Sequence, residues 1–151
     1  FTGKKLSEIP GTGAAGGLGF AFLWGLPNVE LKPGIDIVLE AVGLTNELKD
    51  ADVVVTGEGC LDFQTAMGKV PVGVAKTAKN YNCKVIAFAG SVTEEAKKCN
   101  EKGIDAFFSI LPGVCSLDEA MDTEIAQKNM RNAAEQVFRL ILALLKEKCY
   151  E

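Results

Sequence analysis

An apolar run of strand length, Asp52–Thr56, constrains this fold most, because a segment rich in glycines and acids follows it directly. Two further β-branched or aromatic runs, Lys84–Ala89 and Ala106–Leu111, come later in the chain. Segments with helical spacing separate the three runs, and strands that are joined through helices pair in parallel. The pattern therefore predicts an α/β fold with an open, doubly wound sheet and flanking helices.

Two helices are predicted between these strands. Apolar spacing predicts the first over Val70–Tyr81, with a proline tolerated in its first turn. The second is predicted over Thr93–Lys102. Ser91 and Glu94 form a capping-box pattern at its start, and Gly103 is expected to end it.

The last part of the chain predicts two more helices. Ser116 and Glu119 repeat the capping-box pattern, which indicates a short helix near Leu117–Met121. A long amphipathic helix, about Thr123 to Lys148, closes the chain. Its buried face is expected to consist of Ala126, Met130, Ala133, Val137, Ile141 and Leu144.

The first part of the chain has a different pattern. A glycine-dense stretch, Gly11–Gly19, runs into apolar residues, and a later helix is expected to start at Pro33. We interpret residues 1–49 as the C-terminal piece of a second α/β domain, and residues 50–151 as the C-terminal part of the sheet domain. Because the first residue is Phe1 rather than methionine, we expect a piece of a longer polypeptide.

Composition narrows the possible functions. The net charge of -4 gives no reason to expect nucleic acid or a membrane surface as a partner, and no apolar run has membrane-spanning length. The absence of histidine excludes a Ser-His-Asp triad or a histidine-ligated zinc within this chain. Five cysteines without a CxxC pattern indicate a reducing, cytoplasmic compartment, where most of them act as small buried hydrophobes.

Two acids and a lysine after the first strand form the strongest candidate site. Glu58 and Asp62 could hold a divalent metal such as Mg²⁺ or accept a proton from a substrate hydroxyl, although they could also cap a turn or the next helix. Lys69 could neutralise phosphate oxygens, or be a solvated residue at a helix start. Ligands bind open α/β sheets at this edge, so the cluster predicts a phosphoryl-transfer site.

Small and polar residues nearby are further candidates for binding substrate or phosphate. They are Gly57, Gly59, Gln64, Thr65 and Ser91. Gln64 and Thr65 could equally satisfy the loop backbone, and Ser91 could simply cap the next helix.

The glycine-dense stretch allows three interpretations. Gly11–Gly16 matches the GxGxxG string, with Asp36 about 20 residues further on, as in a dinucleotide site. No strand is predicted before Gly11, which argues against that site. The glycines could instead allow close packing at a helix start, or their backbone N–H groups could bind an anion. The anion hypothesis names Gly13, Ala14, Gly16 and Gly17.

Three blocks of the sequence resemble the C-terminal part of the type I (bacterial) glycerate kinases. They are Pro10–Phe20 with Glu30–Ile35, Ala51–Lys76, and Val85–Ser91 with Gly103–Ala106. The resemblance implies an open, mostly parallel Rossmann-like or flavodoxin-like sheet, plus a segment of a second α/β domain. It implies a kinase that uses ATP and Mg²⁺ to phosphorylate D-glycerate, giving 2- or 3-phosphoglycerate.

The resemblance also implies an incomplete site. In the family, the substrate cleft lies between a Rossmann-like domain, made from both chain ends, and an inserted domain. The remainder of the same polypeptide would then complete the cleft, and the isolated fragment would be inactive. Many members carry arginine where this chain has Cys60, which affects the charge available for phosphate. The alternative hypothesis is a non-catalytic α/β module that binds a small carboxylate or another anion.

Overall fold

The chain divides between Leu44 and Thr45 into two units, and the computed structural model describes residues 5–147. The proposed domain limits, 1–49 and 50–151, stay a prediction. Among residues 5–147, no helix combines the length and the hydropathy that crossing a bilayer requires.

The first unit is helical in its described part. A 3₁₀ turn, Leu6–Glu8, precedes helix α1 (Ala14–Gly25). Helix α2 (Gly34–Ala41) starts directly after its N-cap residue Pro33, one residue later than predicted. No strand occurs among the described residues before Gly11, so the GxGxxG string lacks the strand that a dinucleotide fingerprint requires. The dinucleotide interpretation is therefore not supported.

The second unit contains a three-stranded parallel sheet. Its strands are β1 (Val53–Leu61), β2 (Lys84–Val92) and β3 (Ala106–Ser109), in the order β1-β2-β3. The order places β2 in the middle. Helical segments join consecutive strands, as the sequence pattern predicts. The open, parallel α/β sheet with flanking helices is confirmed.

Two strands are longer than predicted at their C-terminal ends. β1 continues through Gly57–Leu61, and β2 continues through Gly90–Val92. Glycine usually weakens a strand, but here the parallel pairing persists and places Glu58 opposite Ala89. β3, in contrast, ends at Ser109, two residues early. The candidate site therefore begins inside a strand rather than in a loop after it.

Short helices surround the sheet. Helix α3 (Leu44–Glu47) and a 3₁₀ turn (Leu48–Asp50) precede β1. Helices α4 (Phe63–Ala66) and α5 (Val70–Lys79) join β1 to β2. The end of α5 lies two residues before the predicted end, because its last turn gives way to the turn that leads into β2.

The connection from β2 to β3 differs from its prediction. It is a 3₁₀ helix, Glu94–Lys102, whose N-cap residue Thr93 makes no side-chain capping hydrogen bond. Ser91 lies in β2, so the predicted Ser91–Glu94 capping box is wrong. The predicted stop at Gly103 is confirmed, since this residue adopts a left-handed conformation with φ 105°.

The last two helices agree closely with the sequence pattern. Helix α6 (Leu117–Met121) begins at a capping box, in which the Ser116 hydroxyl accepts from the Glu119 N–H. Helix α7 (Thr123–Glu147) follows, and the predicted final residue Lys148 lies outside the described residues. Both predicted helices are confirmed over the described part of the chain.

The core of the second unit lies between the sheet and its helices. On one face, Val137 of α7 packs with Ile86 and Phe88 of β2. Ala133 and Ile141 pack against this cluster as predicted. Two other members of the predicted α7 face are exposed rather than buried, which corrects the prediction: Met130 at 40% and Leu144 at 58%. The opposite sheet face is covered by α5, whose buried residues are Pro71, Val72, Gly73, Ala75 and Ala78.

Four cysteines lie in the described part of the chain, and all are free thiols. Cys83 and Cys99 are buried, as the prediction of small buried hydrophobes requires, whereas Cys115 is exposed and Cys60 is half-buried. The Cys83 thiol donates to the Ala51 carbonyl at 3.1 Å. The fifth residue of the predicted set, Cys149, lies outside the described residues.

Candidate functional site

Glu58, Asp62 and Lys69 converge at the C-terminal end of β1. The Lys69 ammonium nitrogen lies 3.7 Å from Glu58 Oε1 and 3.7 Å from Asp62 Oδ1. Solvent reaches all three side chains, which are 28%, 24% and 38% exposed in that order. The structure therefore brings the three residues together in an accessible position, and we call them the acid–lysine cluster.

The side chain of Thr65 connects Glu58 and Asp62. It is fully buried, and its hydroxyl lies 3.1 Å from Glu58 Oε2 and 3.2 Å from Asp62 Oδ1. A hydroxyl carries one proton, so it can donate to only one of these carboxylates at a time. Of the two interpretations of Thr65, a contact with substrate and an internal hydrogen bond, the structure shows the internal one. Its hydroxyl fixes the acids.

Asp62 also begins helix α4. Its Oδ1 accepts from the Thr65 N–H at 2.9 Å, while its own N–H donates to the Thr65 hydroxyl at 3.3 Å. This reciprocal pair is a capping box, so the helix-cap interpretation of Asp62 is correct. The same geometry also holds Asp62 beside Lys69. The sequence signal that could have indicated the hydrogen bonds between Asp62 and Thr65 is an acid three residues before a threonine.

The surroundings of Asp62 keep it ionised. The Thr65 N–H hydrogen bond lowers the pKa of Asp62 below its ordinary 3.8. Desolvation opposes this, but the Thr65 hydroxyl, the Lys69 charge and the Gln64 N–H all lower the pKa further. The formal charges of Glu58, Asp62 and Lys69 sum to -1, so the cluster as a whole attracts a cation.

The donor set fits Mg²⁺. This ion is commonly held by one or two carboxylates, with waters and substrate phosphates completing its octahedron. Glu58 and Asp62 supply two carboxylates at one point. The site therefore suits an ion that shares its ligands with phosphate rather than a closed, all-protein metal site.

An apolar cavity of about 620 Å³ lies beside the acid–lysine cluster. Glu58 and Ser91 are among its lining residues, and so are the glycines of the two long strands. Its other walls come from the segment after β3 and from α6 and α7, with Ile110, Met121 and Met130 among them. These three residues were not predicted as site residues, since they lie far from Glu58 along the chain and carry no polar group.

The remaining predicted residues near the cluster occupy separate positions. Gly57 and Gly59 lie in β1 and line the cavity, as does Ser91 in β2, opposite Cys60. Gln64 is exposed on α4. Gly57, Gly59 and Ser91 are thus placed where a ligand beside the cluster could reach them.

The predicted anion-binding glycines lie in the first unit. Ala15, Gly16 and Gly17 all have positive φ, of 51°, 68° and 95°, so regular helix starts only after them. A Cβ on the buried Gly19 would lie 2.4 Å from the Gly11 carbonyl oxygen, so the turn packs directly on the helix. This contact supports the interpretation as a close-packed helix start. Binding of an anion by Gly13, Ala14, Gly16 and Gly17 stays a prediction.

Comparisons with known proteins agree on one family. The model of the glycerate kinase family matches residues 1–142. The glycerate kinase of Halalkalibacterium halodurans is 48% identical over 134 residues, and that of Bacillus subtilis is 45% identical over 137 residues. The glycerate 2-kinase of Escherichia coli is 47% identical over 115 residues.

The coverage of these matches is unequal. They include 87%, 89% and 76% of this chain, but only 35%, 36% and 30% of the respective relatives. A crystal structure of glycerate kinase 2 from Salmonella typhimurium is 43% identical with a TM-score of 0.66, covering 90% of this chain and 34% of that one. The chain therefore spans about a third of the length of the relatives that it matches.

Proposed function

Because the chain belongs to the glycerate kinase family, we propose that it forms part of the active site of an ATP-dependent kinase. The kinase would transfer the γ-phosphoryl group to D-glycerate and give 2- or 3-phosphoglycerate. The observation that carries this proposal is the position of Lys69, 3.7 Å from the carboxylates of both Glu58 and Asp62. Phosphoryl transfer depends mostly on positioning and charge neutralisation, and this cluster supplies both signs of charge.

The cluster suggests a role for each side chain. ATP would bring the phosphoryl group, and Mg²⁺ would neutralise its oxygens when bound. Asp62 suits a metal ligand because its hydrogen bonds lower its pKa and keep it ionised. Glu58 is the other carboxylate beside Lys69, so it is our candidate to accept the proton of the attacking hydroxyl. Lys69 would counter the charge on the transferred group.

Several backbone and polar groups would position the substrates. We assign Gly57, Gly59 and Ser91 to ligand contact because they line the cavity beside the cluster. Gln64 is exposed on α4 and is assigned to a phosphate or glycerate oxygen. In the first unit, the N–H groups of Gly13, Ala14, Gly16 and Gly17 would hold an anionic group, as N–H groups at a helix start commonly do.

The context of the reaction is also part of the proposal. Since the chain spans about a third of its relatives, further residues of the same polypeptide would complete the cleft, and the 151-residue chain alone would not turn over. A cytoplasmic location is supported by the buried free thiols of Cys83 and Cys99, which are typical of reducing compartments.

The direct test uses the full-length product of the gene that encodes this chain. With ATP, Mg²⁺ and D-glycerate, we expect ADP and a new phosphomonoester signal in ³¹P NMR, whose coupling pattern identifies the phosphorylated hydroxyl. The 151-residue chain is the matched comparison and should give neither. Binding of glycerate by the full-length product without any phosphorylation would instead favour the non-catalytic binding module.

A further inference from the structure

The floor of the apolar cavity is formed by glycines of β1 and β2. Gly57 and Gly59 of β1 and Gly90 of β2 line it. Side chains alternate between faces along a strand, and Gly57 pairs with Phe88, so these glycines lie on the sheet face that α7 covers. A Cβ on Gly59 would have no atom within 4 Å, which shows open space there. Bare peptide backbone therefore forms a flat floor that a planar group can approach closely.

The walls of the cavity are apolar. They include Ile110, Leu111, Leu117, Met121 and Met130, and among the described residues that line the cavity only Glu58 is charged. Without a cation, the walls cannot neutralise a phosphate or a carboxylate. Thioether side chains adapt their shape to flat rings and make favourable contacts with them. The lining therefore selects a neutral, planar and largely apolar group.

The location of Glu58 orients such a group. Glu58 lies between Gly57 and Gly59, so it borders the cavity, while its side chain lies on the other face of the strand with its carboxylate 3.7 Å from Lys69. A ligand with its planar end over the glycines would thus carry its anionic end around the C-terminal end of β1 to the acid–lysine cluster. The volume, about 620 Å³, is ordinary for a small-molecule site, which spans roughly 300–1,000 Å³.

We propose that this cavity binds the purine ring of the nucleotide that donates the phosphoryl group. Among the proposed substrates, only the purine is planar and uncharged, so the inference rests on the proposed function and adds the residues that recognise the base. The nucleotide phosphates then extend toward Glu58 and Lys69.

The test measures binding of adenosine, which has the base but no phosphate, to the full-length gene product by calorimetry. Ala120→Phe fills the cavity from α6, and Met121→Glu adds a charge at a residue that is 75% exposed, so that it does not disturb the core. Ala143→Phe, at an exposed position of α7 that does not line the cavity, is the matched control. We expect both cavity variants to weaken adenosine binding by at least about tenfold, and the control to bind as the unmodified protein does.

A second probe separates this inference from the kinase proposal. Inorganic tripolyphosphate carries the charge without the base, so its binding should be weakened by Lys69→Met and unchanged in Ala120→Phe. Failure of adenosine to bind, or equal binding by all variants, overturns the purine site even if glycerate is phosphorylated. Adenosine binding that is weakened in both cavity variants and unchanged in the control supports the purine site even if D-glycerate is not the acceptor.

Discussion

The buried hydroxyl of Thr65 donates a hydrogen bond to Glu58 Oε2 across 3.1 Å, joining the first turn of α4 to the end of β1. The same hydroxyl lies 3.2 Å from Asp62 Oδ1. One uncharged side chain therefore contacts two carboxylates that would otherwise repel each other, and Lys69 lies beside Glu58 Oε1 and Asp62 Oδ1. This arrangement makes Thr65 a positioning residue for the proposed site.

Thr65→Val tests that role, because valine has the shape of threonine but no hydroxyl. We expect the free energy of unfolding to fall by about 1–3 kcal/mol, since buried hydrogen bonds to charged groups are lost. The concentration of Mg²⁺ that half-saturates turnover should rise as well. Thr65→Ser keeps the hydroxyl and is the matched control, measured by urea denaturation and by Mg²⁺ titration. A purely structural residue would change stability without changing the Mg²⁺ dependence.

Alanine substitutions at two glycines of β1 should affect stability differently. A Cβ on Gly57 would lie 2.5 Å from the Phe88 carbonyl oxygen, whereas a Cβ on Gly59 would meet nothing within 4 Å. Gly57→Ala should therefore lower the free energy of unfolding by about 1–3 kcal/mol, as overpacking does. Gly59→Ala should change stability little. Equal stability of the two variants in urea denaturation would contradict the described strand pairing.

The first unit offers a similar comparison. A Cβ on Gly19 would lie 2.4 Å from the Gly11 carbonyl oxygen, and Gly25 has no such neighbour within 4 Å. Gly19→Ala should loosen the turn on α1 and destabilise this unit by about 1–3 kcal/mol, while Gly25→Ala should be tolerated. Hydrogen exchange of the α1 amides along a urea series measures the unfolding midpoint of this unit. An unchanged midpoint for Gly19→Ala would argue against the close packing.

Asp105 predicts a dependence of stability on pH. Burial opposes its ionisation, but hydrogen bonds from Lys79 and from the Val85 N–H outweigh burial and lower the pKa of Asp105 below 3.8. A carboxyl with a lowered pKa in the folded state stabilises the fold above its ordinary pKa, and this stabilisation is lost as the pH falls through the lowered value.

We therefore expect Asp105→Asn to lower the free energy of unfolding at neutral pH. The difference from the unmodified chain should narrow as the pH falls below 3.8. Urea denaturation at a series of pH values measures this difference. Glu101→Gln, at an exposed position, is the control. A difference that stays constant across this range would show that the Asp105 carboxylate does not gain from its partners.

The sequence predicted the fold well where the signals are local. Helix α6 and its capping box, the stop at Gly103 and the parallel pairing of the strands all follow from short patterns. The C-terminal ends of β1 and β2 do not follow from such patterns, because glycine was expected to end both strands. Pairing between Gly57–Leu61 and the end of β2 outweighs the low strand propensity of glycine, and only the three-dimensional structure shows this.

Some parts of the candidate site could also be predicted from the sequence, and others could not. Glu58, Asp62 and Lys69 are close in sequence, so their convergence after one strand was predictable. The burial of Thr65 depends on how α4 packs, which its sequence position does not reveal. The walls of the apolar cavity come from α6 and α7, far along the chain, and residues such as Met130 look like ordinary helix-face residues.

The central claim is that the acid–lysine cluster is a phosphoryl-transfer site. Its most direct test is the turnover number of the Lys69→Met variant of the full-length gene product, measured with saturating ATP, Mg²⁺ and D-glycerate. Lys76→Met, at an exposed position in α5, is the matched control. We predict that Lys69→Met lowers kcat by about 10²–10³-fold, the usual effect of removing one charge-stabilising group from an active site, and that the control retains full turnover. A Lys69→Met variant as fast as the control would contradict the assignment.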